Sequence, residues 1–290
     1  MRNEEEMLEL ILTKAMISDN IRLVEMNGSR VDSSLKPDPF QDYDIVYYVK
    51  DLQSFLRDHS WVDYFGERIV MQMPDQMVIP SADKTRQSFS YLMLFKDGNR
   101  IDLTLTPVTL AEECLRTKEP RKILLDKDNR IKLTSITPEE TYLITKPDQK
   151  AFHDCSNEFW WVSTYIAKAL WREELILAKS LMEGPVRDML LIMLNWHIGI
   201  RTDFAVSTGK GGKYIEQYVE SDVWKKLVLT YPDGNYENIW KALFNMCNLF
   251  EQLSINIGQE LNIELPDYRN NVLDYLKHIE KLPKISEQIY

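Results

Sequence analysis

The feature that most constrains the fold is a change of hydrophobic period partway along the chain. From Ile21 to about Leu133, short runs rich in β-branched and aromatic residues alternate with turn signals. From about Pro138 onward, apolar residues recur at helical spacing. Strands in one half and helices in the other make an α+β chain, and such segregated patterns imply separate cores. A length of 290 residues with 44% apolar content fills two cores of ordinary size. The boundary is expected near Lys146 and Pro147, giving domains 1–146 and 147–290.

In the first half, Met7, Leu8, Leu10, Ile11 and Ala15 form a helical stripe behind the acidic start Glu4 to Glu6, which suits the positive end of a helix dipole. Strands are expected over Ile21 to Met26, Asp44 to Val49, Arg68 to Met73, Ser88 to Phe95 and Ile101 to Leu105. Asp97-Gly98 is read as a type I′ hairpin turn with positive φ at both central residues. In the second half, helices are expected over Phe152 to Leu170, Val186 to Ile198, Lys213 to Val219, Asp222 to Leu229, Ile239 to Ile257 and Val272 to Ile279. Together these imply a bundle.

A net charge of −10 argues against a nucleic-acid partner, because that binding depends on clustered Lys and Arg releasing counterions. The same charge suits a cationic ligand, or serves solubility alone. No apolar run approaches the roughly 20 residues of a membrane span, and the start of the chain has neither the basic flank nor the apolar core of a secretory signal. Cys114, Cys155 and Cys247 are odd in number and far apart, as reduced packing thiols would be. A cytoplasmic monomer without a membrane partner is the expectation.

Three pieces carry chemistry together: Gly28-Ser29-Arg30 after the first strand, Asp42-Tyr43-Asp44 at the start of the second, and Asp102 on the hairpin's return strand. Side chains two apart on a strand share a face, so Asp42 and Asp44 project together. Paired carboxylates repel unless a cation lies between them, and hard oxygen donors of this kind suit Mg²⁺. Asp102 completes the set if its strand lies beside that of Asp44. Two metal ions could then clamp an attacking oxygen and a triphosphate. Gly28 allows close backbone approach, Ser29 and the following amides can donate to phosphate at a helix start, and Arg30 adds positive charge. Taken singly, Gly-Ser also reads as an ordinary turn and Asp-x-Asp as a solvated acidic turn; the ordered combination distinguishes them.

That order resembles the DNA polymerase beta-like nucleotidyltransferase superfamily. The stretches NGSRVDSSLKPDPFQDYDIVYYV, LFKDGNRIDLTLTPV, LLDKD and CSNEFWWVSTYIAKAL are further similar to the bacterial aminoglycoside 6-adenylyltransferases, over nearly the whole chain. The resemblance implies an N-terminal nucleotidyltransferase domain, a mixed β-sheet flanked by helices, followed by a C-terminal helical domain binding substrate and triphosphate. It implies Mg²⁺-dependent transfer of AMP from ATP to a hydroxyl of an aminoglycoside, the 6-hydroxyl of streptomycin. Asp42, Asp44 and Asp102 would be metal ligands and catalytic residues, with two ions bound, and Asp102 is also nominated as general base. Another small-molecule or protein acceptor, or a noncatalytic nucleotide-binding module of the same fold, are the alternatives.

The second half is expected to supply cations for the triphosphate. Lys168 lies on the long helix, and Lys213 with Tyr214 follows the glycine-flanked Lys210. Streptomycin carries two guanidinium groups, so carboxylates should line its site. Asp154 and Glu158 are four apart beside Trp160 and Trp161, either facing the acceptor or serving as a helix-start acid pair next to core tryptophans. His59, His153, His197 and His278 show no zinc-ligand spacing.

Overall fold

A computed structural model describes residues 1–31, 36–83, 85–116, 121–129, 131 and 143–290. Leu133 and Pro138, where the change of period was placed, lie outside the described residues. The chain divides into two compact units, Met1–Thr141 and Tyr142–Tyr290.

The first unit is built on six strands: β1 (Ile21–Asn27), β2 (Tyr43–Val49), β3 (Arg68–Gln72), β4 (Phe89–Phe95), β5 (Arg100–Pro107) and β6 (Arg121–Asp126). Their order is β3-β4-β5-β2-β1-β6. β2 and β5 run parallel and every other neighbouring pair is antiparallel, so the sheet is mixed. Strand alternation divides its faces. Tyr43, Ile45, Tyr47 and Val49 of β2, with Ile101, Leu103 and Leu105 of β5 and Phe89, Tyr91, Met93 and Phe95 of β4, form one core. Helix α1 (Glu4–Ile17) covers this face with Met7, Ile11 and Ala15. Its start is a capping box in which Asn3 and Glu6 exchange hydrogen bonds, satisfying two otherwise unpaired amides. The opposite face carries the intervening residues, among them Asp44, Asp102 and Thr104. Short helices α2 (Leu52–Leu56) and α3 (Ala111–Cys114) fill connections.

The β4–β5 hairpin departs from the type I′ expectation. Only Gly98 has positive φ there (+86°), and the loop closes through Gly98 N to Phe95 O (3.0 Å) and Phe95 N to Asn99 O (2.9 Å). Asp97 serves instead as an acceptor, taking hydrogen bonds from Arg2 Nε (2.6 Å) and Asn99 Nδ2 (3.0 Å). The Arg2 guanidinium holds the Asp97 carboxyl well below the usual carboxylate range.

The second unit is helical: α4 (Gln149–Trp171), α5 (Leu175–Leu181), α6 (Arg187–Arg201), α7 (Ile215–Tyr218), α8 (Ser221–Val228), α9 (Tyr236–Leu261) and α10 (Arg269–Lys281). α4 begins where the Asp148 carboxylate caps the Ala151 amide (2.7 Å). It buries Phe152, Phe159, Trp160, Ile166 and Leu170, with Phe159 stacked on Phe250 of α9 at 3.8 Å between ring centres. The expected helix over Lys213 to Val219 shrinks to the single turn of α7, because Gly211 and Gly212 just before it hold positive φ (+67° and +77°).

Candidate active site

The parallel pairing of β2 with β5 aligns Asp44 opposite Asp102, and their neighbours Tyr43 and Ile101 point together into the core. Parity therefore forces both carboxylates out on the other face. Asp42 lies one residue ahead of β2 yet keeps the same parity, and oxygens of Asp42, Asp44 and Asp102 all come within 4.8 Å of one another. All three are half-buried. Sheet geometry accounts for the convergence: partners on adjacent strands stand about 5 Å apart, with side chains parallel.

Gly28, the residue after β1, has φ +75° and packs its α-carbon against Asp44. A β-carbon there would lie 1.9 Å from Asp44 Oδ2, which no side chain tolerates. Expected to open a helix, Gly28–Arg30 instead forms one 3-10 turn closed by Val31 N to Gly28 O (3.2 Å), beyond which residues 32–35 are not described.

Arg30, expected from sequence to meet the nucleotide, is engaged inside the protein. Its guanidinium donates to the carbonyls of Asp42 (3.1 Å) and Gln41 (2.8 Å) and lies 3.9 Å from the centre of the Tyr43 ring. Gln41 returns a hydrogen bond to Ser29 O (3.0 Å). These contacts stitch the turn to the segment entering β2 and fix the position of Asp42.

Sequence reasoning passed over Arg100. Two residues before Asp102 on the same strand, it shares that face, and its fork donates to both Asp102 oxygens, Nε to Oδ1 at 2.8 Å and a terminal nitrogen to Oδ2 at 2.6 Å. Asp42 Oδ2 lies 3.5 Å from Nε. These acids raise the Arg100 pKa further. The spacing Arg-x-Asp on a strand was the available signal. Beside this row, Ser90 and Thr104 share a hydroxyl contact (3.2 Å), and Glu25 is 2% exposed, accepting from the Tyr48 phenol at 2.7 Å.

The remaining candidates belong to the second unit. Asp154, Glu158 and Lys168 are all exposed on α4, and Asp154 pairs with Lys150. Trp160, expected at the acceptor, is 5% exposed and packs edge-on against Phe159 and Phe250, so it belongs to the core. Its neighbour Trp161 is 58% exposed and donates to the Tyr165 hydroxyl (2.9 Å). Lys168 lies over the Tyr165 ring and Lys213 over the Tyr214 ring, each at 4.8 Å. Lys210 is exposed in the turn before α7.

The profile of the streptomycin adenylyltransferase family matches residues 1–279. An aminoglycoside 6-adenylyltransferase from Campylobacter jejuni is 40% identical over 277 residues, covering 95% of each chain. Another, from Bacillus subtilis (strain 168), is 39% identical over 280 residues, 96% of this chain and 98% of that protein. A crystal structure of an aminoglycoside 6-adenyltransferase from Bacillus subtilis, 36% identical, covers 97% of this chain and 100% of its own at a TM-score of 0.49. The family profile and the sequence relatives together make the chain an adenylyl-transferring enzyme. It belongs to the streptomycin adenylyltransferase family.

That chemistry implies a nucleoside triphosphate co-substrate and a divalent metal. Among the described residues Asp42, Asp44 and Asp102 form the one cluster suited to such an ion, and its all-oxygen donor set is the kind Mg²⁺ prefers. No helix among the described residues is long and apolar enough to cross a membrane.

Proposed function

We propose that this enzyme transfers AMP from MgATP to the 6-hydroxyl of streptomycin, with the first unit carrying the transfer chemistry. The convergence of the three carboxylates within 4.8 Å is the observation that carries the reading. Asp42, Asp44 and Asp102 would hold two magnesium ions. When bound, these ions neutralise phosphate charge and lower the pKa of the attacking hydroxyl.

The protein's own groups then have defined tasks. Asp102 accepts the proton of the acceptor hydroxyl as its oxygen forms a bond to the α-phosphorus of ATP; the bond to the bridging oxygen breaks and pyrophosphate leaves. Gly28 lets the turn approach Asp44 closely, and with Ser29 it presents backbone to the phosphates. Arg30 keeps Asp42 in place through its two carbonyl contacts. Lys168 and Lys213 carry the positive charge a triphosphate needs, and the Tyr214 phenol can donate a hydrogen bond to it. Glu158 and Asp154 carry the negative charge that guanidinium groups need, and the exposed Trp161 offers the aromatic surface that Trp160 does not.

Incubation with MgATP and streptomycin, followed by mass spectrometry, tests the reaction: an adenylyl group added to the 6-hydroxyl is expected. Streptomycin recovered unmodified while another aminoglycoside gains the group would overturn the acceptor assignment. Asp102→Asn is expected to abolish turnover while ATP binding stays measurable by calorimetry, and near-normal turnover would remove Asp102 from the mechanism.

A further inference from the structure

Arg100 places a cation among the acids assigned to metal binding. Its fork takes both oxygens of Asp102 and approaches Asp42, two of the three carboxylates to which metal binding is assigned above. A planar guanidinium matches a carboxylate in this bidentate way, and doing so here relieves the repulsion among three clustered acids. The same geometry makes it a competitor, because its positive charge lies against the Asp102 oxygens and near Asp42 and repels a second cation approaching the same acids.

The contrast with Arg30 is instructive. Arg30 is 12% exposed, locked by two carbonyls and a ring, and has no freedom to leave. Arg100 is 47% exposed, at the hairpin end of β5, and among the described residues its guanidinium contacts go only to the acids. An arginine so placed can pivot to any anion that offers a better fork, and a phosphate is such an anion.

We propose that Arg100 is a tethered counter-ion that competes with divalent metal for Asp102 and Asp42, so that metal alone binds weakly and loading is coupled to arrival of the triphosphate, onto which the displaced guanidinium turns. This inference rests on the assignment of those acids as metal ligands. It makes Arg100 a positioning residue with two opposing effects: it holds Mg²⁺ off when nucleotide is absent and supports MgATP when nucleotide is present.

The test is calorimetric titration of Mg²⁺ alone into the nucleotide-free protein, its Arg100→Gln and Arg100→Lys variants, and Asp44→Asn. Release of a half-exposed bidentate pair predicts about threefold to tenfold tighter Mg²⁺ binding in Arg100→Gln, with Arg100→Lys between the two. In the same variant the KM for MgATP is expected to rise, opposite in sign to the change for metal alone. A uniformly loosened site would weaken both, so the opposed signs separate competition from simple damage, and circular dichroism melts establish that each variant is folded. Mg²⁺ affinity unchanged or weaker in Arg100→Gln, while Asp44→Asn abolishes binding, overturns the role of Arg100 and leaves the acids as ligands. Mg²⁺ binding that survives Asp44→Asn undiminished overturns the ligand assignment and this inference with it.

Discussion

Gly28→Ala introduces one methyl group at the most crowded point of the site. The backbone there has φ +75°, a region costing a non-glycine residue about 1–2 kcal/mol. The added carbon would lie 1.9 Å from Asp44 Oδ2, and contacts closer than 3.0 Å are not tolerated, so the carboxylate must retreat by 3.0 − 1.9 = 1.1 Å. Displacing a reacting group by about 1 Å costs on the order of 10²-fold in rate. Gly98→Ala is the matched control: its φ of +86° is also positive, but nothing lies within 4 Å of the added carbon. Gly98→Ala should lose about 1–2 kcal/mol in urea denaturation, and Gly28→Ala at least as much. In a pyrophosphate-release assay at saturating substrates, only Gly28→Ala should lose about two orders of magnitude in kcat. A folded Gly28→Ala enzyme within threefold of normal would show that the close approach to Asp44 has no part in the reaction.

Two further outcomes are expected. Trp160→Ala should destabilise the protein by about 3–5 kcal/mol, as removal of a core tryptophan does. By contrast, Trp161→Ala should change stability by no more than about 0.5 kcal/mol while raising the acceptor KM; denaturation curves and steady-state kinetics on both variants decide this, and the reverse pattern would refute the division between them. Because Asp97 has a depressed folded-state pKa, its pairing stabilises the fold above the unfolded carboxylate pKa near about 4, and that stabilisation is lost as pH falls through the folded value. The deficit of Arg2→Met in urea midpoint should therefore be full at pH 7 and shrink below about pH 4, and a deficit constant with pH would refute the pairing.

Much of the first unit could be read from alternation alone, because β2, β4 and β5 each bury every second residue, and the same alternation placed Asp44 and Asp102 on the outer face. Arg100 is equally readable by parity, two residues before Asp102 on β5. β6 left no such trace: this edge strand is mostly half-buried, without alternation, so LLDKD appeared as a motif and not as a strand. α5 was missed because one short helix with Ile176 81% exposed shows little periodicity. The Asp97 turn could not be typed from Asp-Gly, since the choice depended on Arg2, 95 residues away. Adjacent tryptophans on a helix point about 100° apart. Phe250, far along the chain, determines that Trp160 is the one buried.

The pairing of β2 with β5 ties the chemistry to completion of the sheet. A slip of one residue between these strands would turn Asp102 toward the apolar interior and bring Ile101 or Leu103 to the outer face. The acids are contributed by segments some sixty positions apart, so a chain still being synthesised, or paired out of step, has no means of assembling them. On the proposed assignment of these acids, partly folded molecules would be kept from consuming nucleotide, and the capacity to react would report that the strands have closed correctly.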